Sequence, residues 1–95
     1  PQNDGRAIRL VFPALTEERR RDLAKQVKKY SEDAKVAVRN IRRKTKETID
    51  KAVKDGEMGE DEGDRLLKDL DKVTKSVTDE IDTLLETKQK EIMEV

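Results

Sequence analysis

The residues with most to offer chemically are carboxylates and guanidinium groups. Adjacent acids stand at Glu17/Glu18 and Asp61/Glu62, a pairing that can divide general acid and base roles when a cleft holds it. Each pair follows a helix-start signal, where carboxylates complement the helix dipole, and no cleft-forming sequence accompanies either. The chain has no histidine and no cysteine, which removes the imidazole base, the thiolate nucleophile and the usual zinc ligands. No catalytic residue, metal or cofactor is expected. The cations carry a stronger signal. In KVAVRNIRRKTKE, residues 35–47, Arg39, Arg42, Arg43 and Lys44 stand among apolar residues spaced for a helix. Arginine is concentrated there although lysine would solvate as well, and the planar guanidinium suits bidentate phosphate contact and stacking on bases.

Helices must position these groups. Of the 95 residues 33% are hydrophobic and 46% charged, too few apolar groups for a wide core, so the packed interior must be a thin seam in a single domain. No apolar run reaches the ~20 residues that cross a bilayer, and the first residues show no signal-peptide pattern, so no membrane partner is expected and a cytoplasmic location is the default. The opening PQNDGRAIRLVF reads as though entered mid-domain, which suggests a fragment. Within it Asn3-Asp4-Gly5 signals a turn, and Ile8, Leu10 and Phe12 alternate as in one short strand ended by Pro13. Thr16 is the expected N-cap of a first helix, which nothing interrupts until Gly56. Gly56 suits a left-handed C-cap, Gly59 the next N-cap, and a second helix follows. So short a loop makes the pair antiparallel.

The first helix carries its main apolar stripe at Leu23, Val27, Tyr30, Ala34, Ala37, Ile41, Thr48 and Ala52, widened by Val38, Ile49 and Val53. Tyr30 is expected in the core with its hydroxyl at the rim. On the second helix Leu66, Leu70, Val73, Val77 and Leu84 form one lane, and Leu67, Ile81, Leu85 and Ile92 a second. Two lanes imply two neighbours, so a further helix is needed to close the bundle. A hairpin alone is expected to expose the second lane together with Val38, Ile49 and Val53, and hence to self-associate.

The neutral total hides an asymmetry. Residues 1–56 hold 16 basic against 9 acidic side chains, and residues 57–95 hold 6 against 13. At 100° per residue, Arg21, Lys28, Lys35, Arg39, Arg42 and Lys46 fall within roughly 60° of one another, one basic edge beside the apolar stripe. Such an edge either pairs with the acidic second helix, as flanking positions do in coiled coils, or faces an external polyanion. Without aromatic platforms it favours phosphate-backbone and structured-RNA recognition over single-strand readout.

The stretch LTEERRRDLAKQVKKYSEDAKVAVRNIRRK, residues 15–44, closely resembles the signature region of bacterial ribosome recycling factors, with LTEERR and VRNIRR at the family's spacing, and the closing KEIMEV is similar to that family's carboxyl terminus. The resemblance covers essentially the whole chain but only the carboxyl-terminal half of a family member. It implies an all-α hairpin, two helices of a three-helix bundle, preceded by the last strand of an inserted β domain. Residues 1–12 would be the remnant of that domain, residues 13–15 (Pro13, Ala14, Leu15) the hinge, and residues 16–95 the second and third bundle helices. The implied activity is non-catalytic: with elongation factor G and GTP, such factors split the post-termination ribosome into subunits. The implied partners are the large subunit with its 23S rRNA and elongation factor G. By position in the motifs Arg39, Arg42 and Arg43, with Arg19 and Arg20 near the hinge, match the family's rRNA-contacting arginines, and Lys35 and Lys46 lie on the same basic edge. LVFPAL lacks a second proline that many relatives carry before the leucine, so hinge stiffness is expected to differ. The competing expectation is a generic helical-hairpin interaction module whose charges only solubilise it.

Overall fold

The structure, a computed structural model, describes residues 15–94. The expected strand at residues 7–12, with Pro13 and Ala14 of the expected hinge, lies outside them, and so does Val95. Helix α1 spans Glu17–Lys54 and helix α2 spans Glu60–Met93. At 1.5 Å per residue these are rods of about 57 and 51 Å. No other helix and no strand occurs among the described residues.

Local chemistry explains each boundary. The Thr16 Oγ1 accepts the Arg19 backbone N–H at 2.9 Å, and Glu17 and Glu18 occupy the first turn, so the positive end of α1 is both capped and compensated. Lys51 and Lys54 sit in its last turn, and the chain leaves through Gly56 at φ +80°. There the Gly56 N–H donates to the Val53 carbonyl at 3.1 Å and the Glu57 N–H to the Ala52 carbonyl at 2.9 Å, the paired bonds of a Schellman ending that require a left-handed residue. Gly59 then caps α2 through backbone alone, with Glu60, Asp61 and Glu62 on the dipole.

The hairpin is antiparallel, and its seam is narrow: Ile49, Ser31 and Gly63 are the only buried residues among those described. Half-buried Leu23, Val27, Val38 and Val53 from α1 meet Leu67, Leu70, Val77, Ile81, Leu85 and Ile92 from α2. Polar residues also lie in the seam, each satisfied within its own helix. Ser31 Oγ donates to the Lys28 carbonyl at 2.8 Å, and the Thr45 and Thr74 hydroxyls donate to the carbonyls four residues back at 2.9 and 2.7 Å, so none is left as an orphaned buried donor. Near the loop the helices come close enough that a Cβ built on Gly63 would stand 2.6 Å from Val53 Cγ2.

This arrangement corrects the expected roles of the apolar lanes. Leu67, Ile81, Leu85 and Ile92 with Val38, Ile49 and Val53 form the seam and are not the exposed set. The other lane is split: Leu23, Val27, Leu70 and Val77 stay half-buried in the seam, while Tyr30, Ile41, Leu66, Val73 and Leu84 are exposed. Tyr30 is 65% exposed, Ile41 64%, Val73 60% and Leu84 66%, so Tyr30 is not part of the seam between α1 and α2. The reason is azimuth: at 100° per residue Tyr30 and Ile41 lie roughly 90° around α1 from Ser31 and Ile49, which face α2. The hairpin therefore has an open apolar face on one side of its seam. Val36, on the far side of α1, is exposed.

Candidate nucleic-acid interface

The basic edge lies on the opposite side of the seam from the open apolar face. The α1 positions nearest α2 on this edge are Lys35 and Arg42, seven residues apart and so on the same azimuth to within about 20°. Both are committed across the seam. Lys35 Nζ donates to Asp82 Oδ1 at 2.7 Å and lies 3.6 Å from Glu32 on its own helix. The hydrogen bond to Asp82 raises the Lys35 ammonium above its ordinary value; partial desolvation works against this, and the nearby charges of Asp82 and Glu32 add to it. Arg42 Nε donates to Asp71 Oδ1 at 2.7 Å. One turn along, Lys46 pairs with Asp50 of its own helix at 2.8 Å.

Arg39 and Arg43 stand further around α1 and are exposed. They are spaced four residues apart, about 6 Å along the axis on one face, and neither makes an ion pair among the described residues. Exposed Lys28 continues the edge toward the start of α1, and Arg21 there pairs with Glu17 at 3.6 Å. The Arg21–Glu17 and Lys46–Asp50 pairs are open to solvent, which weakens them and leaves that part of the edge able to rearrange.

The two arginines near the start of α1 behave differently. Arg19 is exposed and makes no ion pair among the described residues. Arg20 is turned to the end of α2: its Nη1 donates to the Ile92 carbonyl at 2.7 Å and also to the Glu94 carbonyl, while its Nε donates to the Leu15 carbonyl at 3.2 Å. A guanidinium here satisfies carbonyls that the end of a helix leaves without partners and compensates the negative end of its dipole. Arg20 thus ties Leu15, the one expected hinge residue within the described part, to the carboxyl-terminal end of α2.

Of the seven cations expected to contact RNA, the structure brings Lys35, Arg39, Arg42, Arg43 and Lys46 onto one edge, places Arg19 apart, and engages Arg20 with backbone carbonyls. Asp71 and Asp82 belong to the same surface but carry no sequence signal of their own, because their partners depend on the register of one helix against the other. The described residues contain no cluster of three metal-ligating side chains and no helix long and apolar enough to cross a membrane.

Residues 1–93 match the family described as ribosome recycling factor. The chain belongs to the ribosome recycling factor family. It is 81% identical over all 95 residues to a ribosome-recycling factor of Bifidobacterium longum, 72% to that of Bifidobacterium adolescentis and 58% to that of Renibacterium salmoninarum. In each comparison the whole of this chain is covered, and 52%, 52% and 51% of the relative. The chain thus spans about half the length of the curated ribosome-recycling factors it matches. The helical hairpin expected from the family resemblance is the fold observed.

Proposed function

We propose that this chain is the ribosome-contacting bundle of a translation factor, and that the protein carrying it works with elongation factor G and GTP to separate post-termination ribosomes into subunits. The supporting observation is the two-faced hairpin: a family member whose motif arginines Arg39 and Arg43 stand exposed on a basic edge, back to back with an open apolar face. The basic edge, with Arg42 at its seam side, would hold phosphates of 23S rRNA on the large subunit, and Arg19 would add a contact near the hinge. The apolar face around Tyr30, Ile41, Val73 and Leu84 is the seat for the third helix of the bundle, as the family resemblance implies. Residues 1–12 then belong to the inserted domain and residues 13–15 to a hinge that takes the push of elongation factor G. No bond is made or broken by the factor; binding energy and transmitted force do the work, in the cytoplasm where ribosomes are.

The test uses the protein expressed from its complete reading frame. Its affinity for salt-washed large ribosomal subunits should fall steeply with salt, since phosphate contacts release counterions. Arg39→Ala and Arg43→Ala should each lose about 1–3 kcal/mol of binding with helicity unchanged, and their combination should slow subunit splitting by elongation factor G and GTP, followed by light scattering. Equal binding by the wild type and the double variant at every salt concentration would overturn the reading.

A further inference from the structure

Among the described residues, the ion pairs that cross from α1 to α2 both end on aspartates at the basic edge, Arg42 on Asp71 and Lys35 on Asp82, each at 2.7 Å. Resting on the RNA-binding role proposed above, we propose that Asp71 and Asp82 are internal counterions of that edge: they compete with nucleic-acid phosphate for Arg42 and Lys35, hold the affinity of the face down, and concentrate recognition on Arg39 and Arg43.

A carboxylate oxygen and a phosphate oxygen offer a guanidinium the same kind of acceptor, so an arginine already bonded to one must exchange it or share it to bind the other. The Arg42–Asp71 pair is placed for such exchange. Its side chains are 36% and 57% exposed, and only Nε of Arg42 is engaged, so an incoming phosphate can reach the outer guanidinium nitrogens before Asp71 lets go. Lys35 is held harder, with its side chain 19% exposed and Glu32 as a second acid. A negative charge that stays beside the site also repels each phosphate that arrives. Were every cation on this edge free, it would bind any polyphosphate chain by counterion release, with affinity set by their number. Two internal counterions subtract from that number and, with Lys46 already on Asp50 and Arg21 on Glu17, leave Arg39 and Arg43 as the arginines of the edge without an ion pair among the described residues.

The experiment compares wild type, Asp71→Asn, Asp82→Asn and the control Asp69→Asn, an exposed acid on the far side of α2, in the protein expressed from its complete reading frame, titrated into salt-washed large ribosomal subunits. Asp71→Asn should bind about two- to fivefold more tightly at low salt, the range that an exposed ion pair controls, and its log–log salt slope should steepen by about 0.9, one phosphate contact more. Asp82→Asn should shift in the same direction, and Asp69→Asn should not. In an Arg42→Gln background the gain from Asp71→Asn should vanish. Unchanged or weaker binding by Asp71→Asn, with Arg39→Ala still impaired, overturns the counterion role and makes Asp71 a group that merely orients Arg42, leaving the RNA reading intact. If Arg39→Ala and Arg43→Ala bind as wild type does, the RNA reading itself falls. A circular-dichroism melt of each variant separates either result from unfolding.

Discussion

Replacing Gly63 by alanine sets two effects of known size against each other. Within α2, glycine is worse than alanine by about 1 kcal/mol because it gives up more backbone freedom on folding. At this position the added methyl would stand 2.6 Å from Val53 Cγ2, with Ile49 Cγ2 at 3.7 Å and Met58 Sδ at 3.9 Å. Val53 cannot swing clear, since a β-branched side chain in a helix has one strongly preferred χ1, so the helices must part near the loop or the side chain must leave its rotamer. Overpacking of this kind costs about 1–3 kcal/mol. Gly63→Ala should therefore destabilise by about 0–2 kcal/mol net. In a Val53→Ala background the obstructing methyl is gone and the propensity gain should appear, so the same change should stabilise by about 0.5–1 kcal/mol. The coupling between the two sites, about 1–3 kcal/mol, is read from urea midpoints of the four proteins followed at 222 nm. Equal effects of Gly63→Ala in the wild-type and Val53→Ala backgrounds would refute the close approach of the two helices.

Arg20→Ala should release the last turn of α2, seen as faster amide exchange over residues 90–94, and Arg20→Lys should not restore protection because one ammonium cannot reach both Leu15 and the end of α2; unchanged exchange would sink that role. The Lys35 ammonium holds its proton more tightly in the folded protein than in the unfolded chain, so the Lys35–Asp82 pair stabilises fully below its ordinary 10.5 and is lost as pH rises through the higher folded value. Asp82→Asn should accordingly lessen the drop in urea midpoint between about pH 9 and pH 11.5, and an identical drop in wild type and variant would refute the linkage. The 95-residue chain by itself should self-associate at micromolar concentration through Tyr30, Ile41, Val73 and Leu84, and Ile41→Glu with Leu84→Glu should weaken this; a cooperatively melting monomer in sedimentation equilibrium would count against it.

Both ends of α1 and the start of α2 were legible because their determinants are local. Thr16, Gly56 and Gly59 each act on backbone groups within a few residues of themselves, so the chain spells out where a helix starts and stops. Which apolar residues meet was not legible. An apolar arc wider than about 100° shows that neighbours exist on that side, but the direction of α2 depends on how the loop delivers it, so the second lane entered the seam and only part of the first was left exposed. Tyr30 has the size of a core residue and faces outward, while Ser31, a small hydroxyl, lies in the seam because little bulk and a bond to its own helix let α2 come near. The basic edge could be drawn from azimuth alone. Its division into committed Lys35 and Arg42 and exposed Arg39 and Arg43 required Asp82 and Asp71 to be brought alongside from 47 and 29 residues away.

The antiparallel seam also orders folding in time. Contacts next to the loop, such as Val53 with Gly63, close a segment of about ten residues, whereas the bond from Arg20 to Glu94 joins residues 74 apart. By the logarithmic scaling of loop closure, forming the far contact first would cost about 1.8 kcal/mol more in chain entropy than forming the near one. The hairpin should therefore zip from Gly56 outward, with each half-turn of seam shortening the loop that the next must close. Opening runs in reverse. The end carrying Leu15, Arg20 and Ile92 should unzip first, while the arginines of the basic edge sit midway along, on a stretch that should open only after that end has gone.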